Sequence, residues 1–519
     1  MGRLRTTLLV AVAGLIACGD DGASADTDSD AGTSSSNGTT SAGPSTGSTT
    51  LTSTTTGPES TTDGTGSTSD ASTSESSGTA ESSSTGEVPE LPVGASGSYL
   101  FPSDLSFTVF DVEAHPDGGV VLVGNVQRDG VREAAIVHIA DDGEILWARR
   151  TNLPTNEQFF GVLVEGSAVY GVGLTRRDTG GGNSNEVLVA EFALDGTHVR
   201  SVLAGNPGTD EHAWDMIATS GGGFVLTGYT DQTDFGDRDG LLIGFDADLQ
   251  LQWNIGVGGD GFDQLYGARE DDDGGFLGVG VRGRGPEASD SLLIKVDAAG
   301  GLVYSASFGN GGADVLRGVA PLASGGYLLV GETSSWGAGS EDGYFGVFNP
   351  DGDPAISLST LGGPGYDVLR SLVPAGGDRF IVGGQAGSAA TSEDTWLARI
   401  DASGELALDW QFVYDAPRDQ RMPTGATAQR ADGGIALAVS DFDNPGEFDP
   451  AVLYTDSLGG IDGDCPAVID DPFAPAAVEE VVIDSTLSQG VSSFTRTALA
   501  PGDEPFVALD LGAAAGLCR

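Results

Sequence analysis

Two series of carboxylates in this chain have the type and the spacing to do chemistry. Asp263, Asp314 and Asp367 recur at a period of about 52 residues, with Glu211 as a variant. Glycine-rich runs precede them: Gly258-Gly259-Asp260-Gly261-Phe262 before the first and Gly362-Gly363-Pro364-Gly365-Tyr366 before the third. A carboxylate in that setting can ligate calcium through its oxygens, or cap the backbone N–H groups where a strand begins. Capping is the reading adopted here, with calcium held by Asp263, Asp314 and Asp367 as the chemical alternative and no other cofactor implied. The second series is Asp239, Asp290, Asp342, Asp394 and Asp449, each closing the longer loop of its repeat, and Trp336 stands in one such loop between Thr333 and Asp342. These six residues are the candidates for a ligand-binding face.

Other chemistry is sparse. His115, His138, His198 and His212 have no zinc-type spacing. No Gly-x-Ser-x-Gly nucleophile motif follows residue 96, and Gly256-x-Gly258-x-x-Gly261 matches a dinucleotide fingerprint but opens no helix. Carboxylate pairs suited to a polysaccharide hydrolase or lyase are too numerous to select among, so that class stays open.

A repeat must position these residues. The phrases SGGGFVLTG from Ser220, DGGFLGVG from Asp273 and SGGYLLVG from Ser324 are three copies of one strand preceded by a glycine turn. A second phrase follows each, as in Leu292 to Tyr304, and its turn position falls at Gly143, Gly196, Leu249, Gly300, Gly352, Gly404 and Gly459. In the clearest copy the expected strands are Leu265 to Arg269, Phe276 to Val281, Leu292 to Val296 and Leu302 to Ser307, with a polar loop from Arg282 to Asp290. Such a four-stranded antiparallel meander is marginal alone and needs neighbours to cover its faces. Packing the copies around an axis gives an all-β, seven-bladed propeller. Trp147, Trp253, Tyr304 and Trp410 then wedge between blades. In a meander the long loops and the blade-to-blade connections emerge at one end, so both aspartate series should gather on one face of the disc, where variable loops commonly carry function.

The pattern resembles the bacterial seven-bladed β-propeller repeats of secreted proteins and lipoproteins, on the strength of the Gly-Gly-aromatic-apolar strand and the apolar-Asp-x-x-Gly hairpin. That resemblance implies a fold and no catalytic residues. The two glycine-rich runs also fit the calcium-binding nonapeptide of secreted repeat toxins, although here they recur once per blade rather than in tandem.

A ring must also close. The seventh copy loses its fourth strand in Gly459-Gly460-Ile461-Asp462-Gly463-Asp464, while an orphan strand, Ser98 to Phe101, precedes the first copy. The expectation is that this N-terminal strand completes blade seven, because an unlatched ring leaves sheet edges open.

The ends of the chain suggest an address. Arg3 and Arg5 precede an apolar stretch, Leu8 to Ile16, too short to span a bilayer. Leu15-Ile16-Ala17-Cys18 resembles the lipobox of bacterial lipoproteins, which implies cleavage after residue 17 and lipidation of Cys18, with an outer-membrane-anchored, periplasmic or surface-exposed protein as the result. Residues 19–96 are rich in Ser, Thr, Gly and acidic residues, without Lys or Arg, and are expected to be a disordered tether. The propeller then spans 97–461, and a tail, 462–519, docks on it. Cys465 and Cys518 in that tail would form one disulfide in an exported chain. With 76 acidic and 23 basic residues, the net charge of −53 argues against nucleic acid as a partner. The functional expectation is a lipid-anchored envelope propeller that binds or scaffolds a protein or glycan, with a polysaccharide-acting enzyme and a calcium-stabilised display protein as alternatives.

Overall fold

The computed structural model describes residues 96–461, apart from short loop segments, and the strands of the tail between Ala467 and Gly516. Cys18, Cys465, Cys518 and the 19–95 stretch lie outside the described residues. Among the described residues no helix is long and apolar enough to cross a membrane.

Every repeat folds as an antiparallel sheet, and seven such sheets form a ring. Blade four shows the local logic: strands Asp263–Glu270, Phe276–Gly285, Ala288–Val296 and Leu302–Gly309 join through hairpins whose Gly274 and Gly300 adopt φ of 78° and 83°. The middle strands are covered on both sides by neighbouring blades, so they read as unbroken apolar runs rather than alternating ones. Phe224–Thr230 and Asp239–Phe245 of blade three are accordingly buried at every position. One expectation needs correction. The stretch from Arg282 to Asp290 is not a loop, because the ladder continues through Arg282↔Asp290 and Gly283↔Ser289 before a register shift to Gly285↔Ala288.

The aromatic wedges sit as expected. For Trp147 and Trp253 the positive-φ hairpin glycine of the following blade makes room: a methyl group on Gly196 would lie 2.5 Å from the Trp147 ring, and one on Gly300 would lie 2.6 Å from Trp253. Blade two offers Arg200 at that place, and the following hairpin carries Leu249, left-handed at φ 55° and fully buried, instead of glycine. Leu249 fills the space an aromatic ring fills elsewhere.

The ring closes through the N-terminus. Gly97–Leu100 pairs antiparallel with Glu447–Thr455 in the register Gly97↔Tyr454 to Leu100↔Ala451, and the Phe101 N–H donates to Pro450 O at 2.9 Å. Leu100 and Phe101 are buried in the cluster that joins blade seven to blade one. Phe101→Ala is therefore expected to destabilise the propeller by about 3 kcal/mol through the cavity it leaves, read as a lower urea midpoint with an unchanged slope.

The tail does more than dock. Blade six receives Ala467–Asp470 as a fifth strand, blade five Ala476–Ala477, blade four Val482–Asp484 and blade three Ser488–Gly490. Thr495–Leu499 then joins blade two, Val507–Ala508 blade one, and Ala515–Gly516 pairs with the N-terminal strand of blade seven. The tail thus makes one full lap of the ring, against the direction in which the blades were laid down. Each contact is antiparallel and falls on the C-terminal half of the outer strand, as in Ser307↔Asp484 to Gly309↔Val482. This belt covers sheet edges that would otherwise be free to pair with other chains.

Candidate functional site

The two aspartate series form one constellation. At the boundary between blades three and four, Arg238 and Phe262 make a short parallel bridge, and Ser289↔Ala313 and Glu341↔Tyr366 repeat it at the next two boundaries. The residue after each partner is an aspartate, so the bridge sets Asp239 beside Asp263, Asp290 beside Asp314, and Asp342 beside Asp367. A glycine lies between the members of each pair. A methyl on Gly258 would overlap Asp239 Oδ1 and come within 2.7 Å of Asp263 Oδ2, and Gly309 and Gly362 are hemmed in by their pairs in the same way. Glu186 and Glu211 flank Gly205 one blade earlier.

The second member of each pair is held by hydrogen bonds. Asp263 accepts from the N–H groups of Gly259 at 2.8 Å and Gly283 at 3.2 Å, and Asp367 from those of Gly363 at 2.7 Å and Gly387 at 3.0 Å. Asp314 accepts from Ser335 Oγ at 2.6 Å and from the Thr333 hydroxyl. Burial pushes Asp263 up to about 6 and Asp239, whose neighbour is Asp263, up to about 7. Asp314, Asp342 and Asp367 are raised by the same cause. Asp394 is buried opposite Ala386, Asp449 stands in register with Asp441, and Trp336 is half-buried in its loop. No group of three or more His, Cys, Asp or Glu side chains poised around a metal occurs among the described residues.

A second constellation lies on the axis, in a cavity of about 490 Å³ lined by the inner strands. A β-bulge in each inner strand of blades one to six builds it, at Val109/Asp111, Phe159/Gly161, Ala213/Asp215, Leu265/Gly267, Leu316/Gly318 and Leu369/Ser371. The extra residues are Phe110, Phe160, Trp214, Tyr266, Arg317 and Arg370. They touch in sequence around the wall. Ring centroids are 4.8 Å apart for Phe110–Phe160, 4.5 Å for Phe160–Trp214 and 5.8 Å for Trp214–Tyr266, and the Arg317 guanidinium lies 4.2 Å from the Tyr266 centroid. Glu332 then joins Arg317 at 2.5 Å to Arg370 at 3.7 Å.

Three carboxyls face this region. Asp111 accepts from its own neighbour Val112 N and from Val162 N of blade two, both at 2.8 Å. Asp215 accepts from Met216 N at 2.7 Å and from the backbone of Ala268 in blade four. Each is a clamp from one blade to the next. Glu113 has no such bond among the described residues, and burial pushes it up to about 7 against the pull of Arg269. Arg269 stands 3.7 Å from Asp215 and reaches Leu372 O of blade six at 3.4 Å.

Sequence reasoning missed the axial residues. The signal exists: the third residue after each acid at Glu157, Glu211, Asp263, Asp314 and Asp367 is Phe160, Trp214, Tyr266, Arg317 and Arg370.

No family model and no curated protein matches the chain. Among solved structures it is similar to Sqt1 from Chaetomium thermophilum, with 12% identity and a TM-score of 0.39 over 72% of this chain and 87% of that one. That likeness carries no argument about the site.

Proposed function

We propose that this protein is an envelope propeller that binds a glycan at its axis and scaffolds it. The carrying observation is how the three axial carboxyls are engaged: Asp111 and Asp215 hold backbone N–H groups of the next blade, which leaves Glu113 alone for a ligand. Glycosidic cleavage by the usual route needs two working carboxyls. The cavity volume falls in the range of small-ligand sites, and a wall of Phe160, Trp214 and Tyr266 beside Glu113 and Arg269 offers apolar ring faces with a few polar groups, which suits a sugar end. The enzyme reading keeps one supporting observation, the raised carboxyls flanked by aromatics. The test is calorimetric titration of purified protein with envelope polysaccharide fragments. Binding that weakens at least tenfold in Trp214→Ala, without release of new reducing ends, is expected. Turnover that disappears in Glu113→Gln would replace this reading with the enzyme.

The address belongs to the same proposal. A lipid on Cys18 would hold the ring at the bacterial outer membrane, facing the periplasm or the exterior, through the 19–96 tether. A disulfide between Cys465 and Cys518 would buckle the belt. The tail strands beside these cysteines join blades six and seven, which are neighbours in the ring, and closing that loop would stabilise by about 4 kcal/mol.

A further inference from the structure

We infer that the boundary between blades three and four binds one calcium ion between Asp239 and Asp263. Asp239 is fully buried, and neither of its oxygens has a hydrogen-bond partner among the described residues. A buried carboxylate left in that state is costly, so it must take up a proton or meet a cation. Four of the equivalent acids at other boundaries are supplied from within the protein. Glu133 has Arg150 at 2.5 Å, Glu186 has Arg177 at 3.9 Å, and Asp290 has Arg284 at 2.5 Å. Asp342 accepts from the N–H groups of Ala338 at 2.8 Å and Gly339 at 3.0 Å. At blade three the corresponding help is absent among the described residues. The adjacent Arg238 lays its guanidinium over the rings of Tyr229 and Phe262, at 4.5 and 5.3 Å from their centroids. Arg282, opposite Asp263 in the ladder, donates to Ser307 Oγ at 3.1 Å, and its charge and that of Arg284 act on Asp263 rather than on Asp239.

The geometry suits a hard cation. Asp239 Oδ1 and Asp263 Oδ2 converge on the face of Gly258 where any other residue would carry its Cβ. Both Asp263 oxygens accept one N–H each, which leaves lone pairs free for a metal. Two carboxylates balance a divalent charge, the donors are all oxygen, and the remaining ligands of a calcium shell of six to eight, about the usual number, would come from backbone carbonyls and water. Magnesium demands a near-octahedral shell at shorter distances, which two carboxylates fixed on neighbouring blades do not readily offer.

The test is calcium titration of the full chain, stripped with chelator and held at pH 7.5, by calorimetry and by thermal melting. One site of roughly 0.1 mM affinity is expected, in the range of extracellular modules, with a midpoint that rises as calcium is added. Asp239→Asn should weaken binding at least tenfold and abolish the rise, while Asp290→Asn retains both. An absence of heat and of any melting shift at millimolar calcium would overturn the inference in favour of a proton shared by the pair. An unchanged titration in Asp239→Asn would overturn it by placing the ion elsewhere. The wild-type titration alone decides the matter if the variant does not fold.

Discussion

A chain ending at residue 461 is expected to melt on the order of 10 °C below the full chain and to aggregate at concentrations where the full chain stays monomeric. The belt contributes short antiparallel contacts on all seven blades, from five residue pairs on blade two to two on blade one. Each backbone hydrogen bond stabilises by about 1 kcal/mol net, and ordering a residue of the tail costs about as much. The thermodynamic gain is therefore moderate, whereas the protection of the outer edges is large. Scanning calorimetry and sedimentation of the two chains separate these effects. A truncated ring that melts within about 2 °C of the full chain and stays monomeric would show that the belt neither stabilises nor shields.

Glu332→Ala should lower stability by about 3–5 kcal/mol, because it strands two buried cations at once. Arg317, Glu332 and Arg370 expose 6%, 8% and 3% of their side chains, and Glu332 is the acid that joins the two arginines. Replacing the network is a different operation from breaking it. Arg317→Met, Glu332→Leu and Arg370→Met combined should recover much of the loss, since apolar groups of similar volume often substitute for a buried ionic network without penalty. Urea unfolding of both variants measures the difference, and equal losses in the two would refute the account.

The blades were legible in the sequence because their hairpins need glycine at positive φ and their middle strands need continuous apolar residues. The latch was legible as a strand missing from blade seven and a spare one before blade one. The belt was not. Ala476–Ala477 and Ala515–Gly516 join their blades through backbone atoms, and pairing of that kind leaves no pattern in side-chain type. The axial cavity escaped for another reason. Each bulge inserts a residue, so a period of two carried across Ala213–Asp215 assigns Trp214 to the wrong face. The acid series were found but not their pairing, because Asp239 and Asp263 belong to different blades and meet through the parallel bridge between Arg238 and Phe262. Asp290 was placed at a loop end and stands inside a strand, because the ladder runs on through Gly283.

The belt and the latch also set an order of events. Tyr99 pairs with Val452 on one side and with Gly516 on the other, so the first strand of the ring waits for Glu447–Thr455 at one edge and for Ala515–Gly516 at the other. Contacts this distant along the chain close slowly. During synthesis or export the blades can condense one after another as they emerge, but the seventh blade is unfinished until Glu447–Thr455 is present, and its outer edge stays uncovered until Ala515–Gly516 is. A chain cut before Ala515 loses this last contact of the strap, and with it the covered side of the strand Gly97–Leu100. Closure thus couples distant parts of the chain, so that Ala515–Gly516 fastens the open edge of the strand Gly97–Leu100.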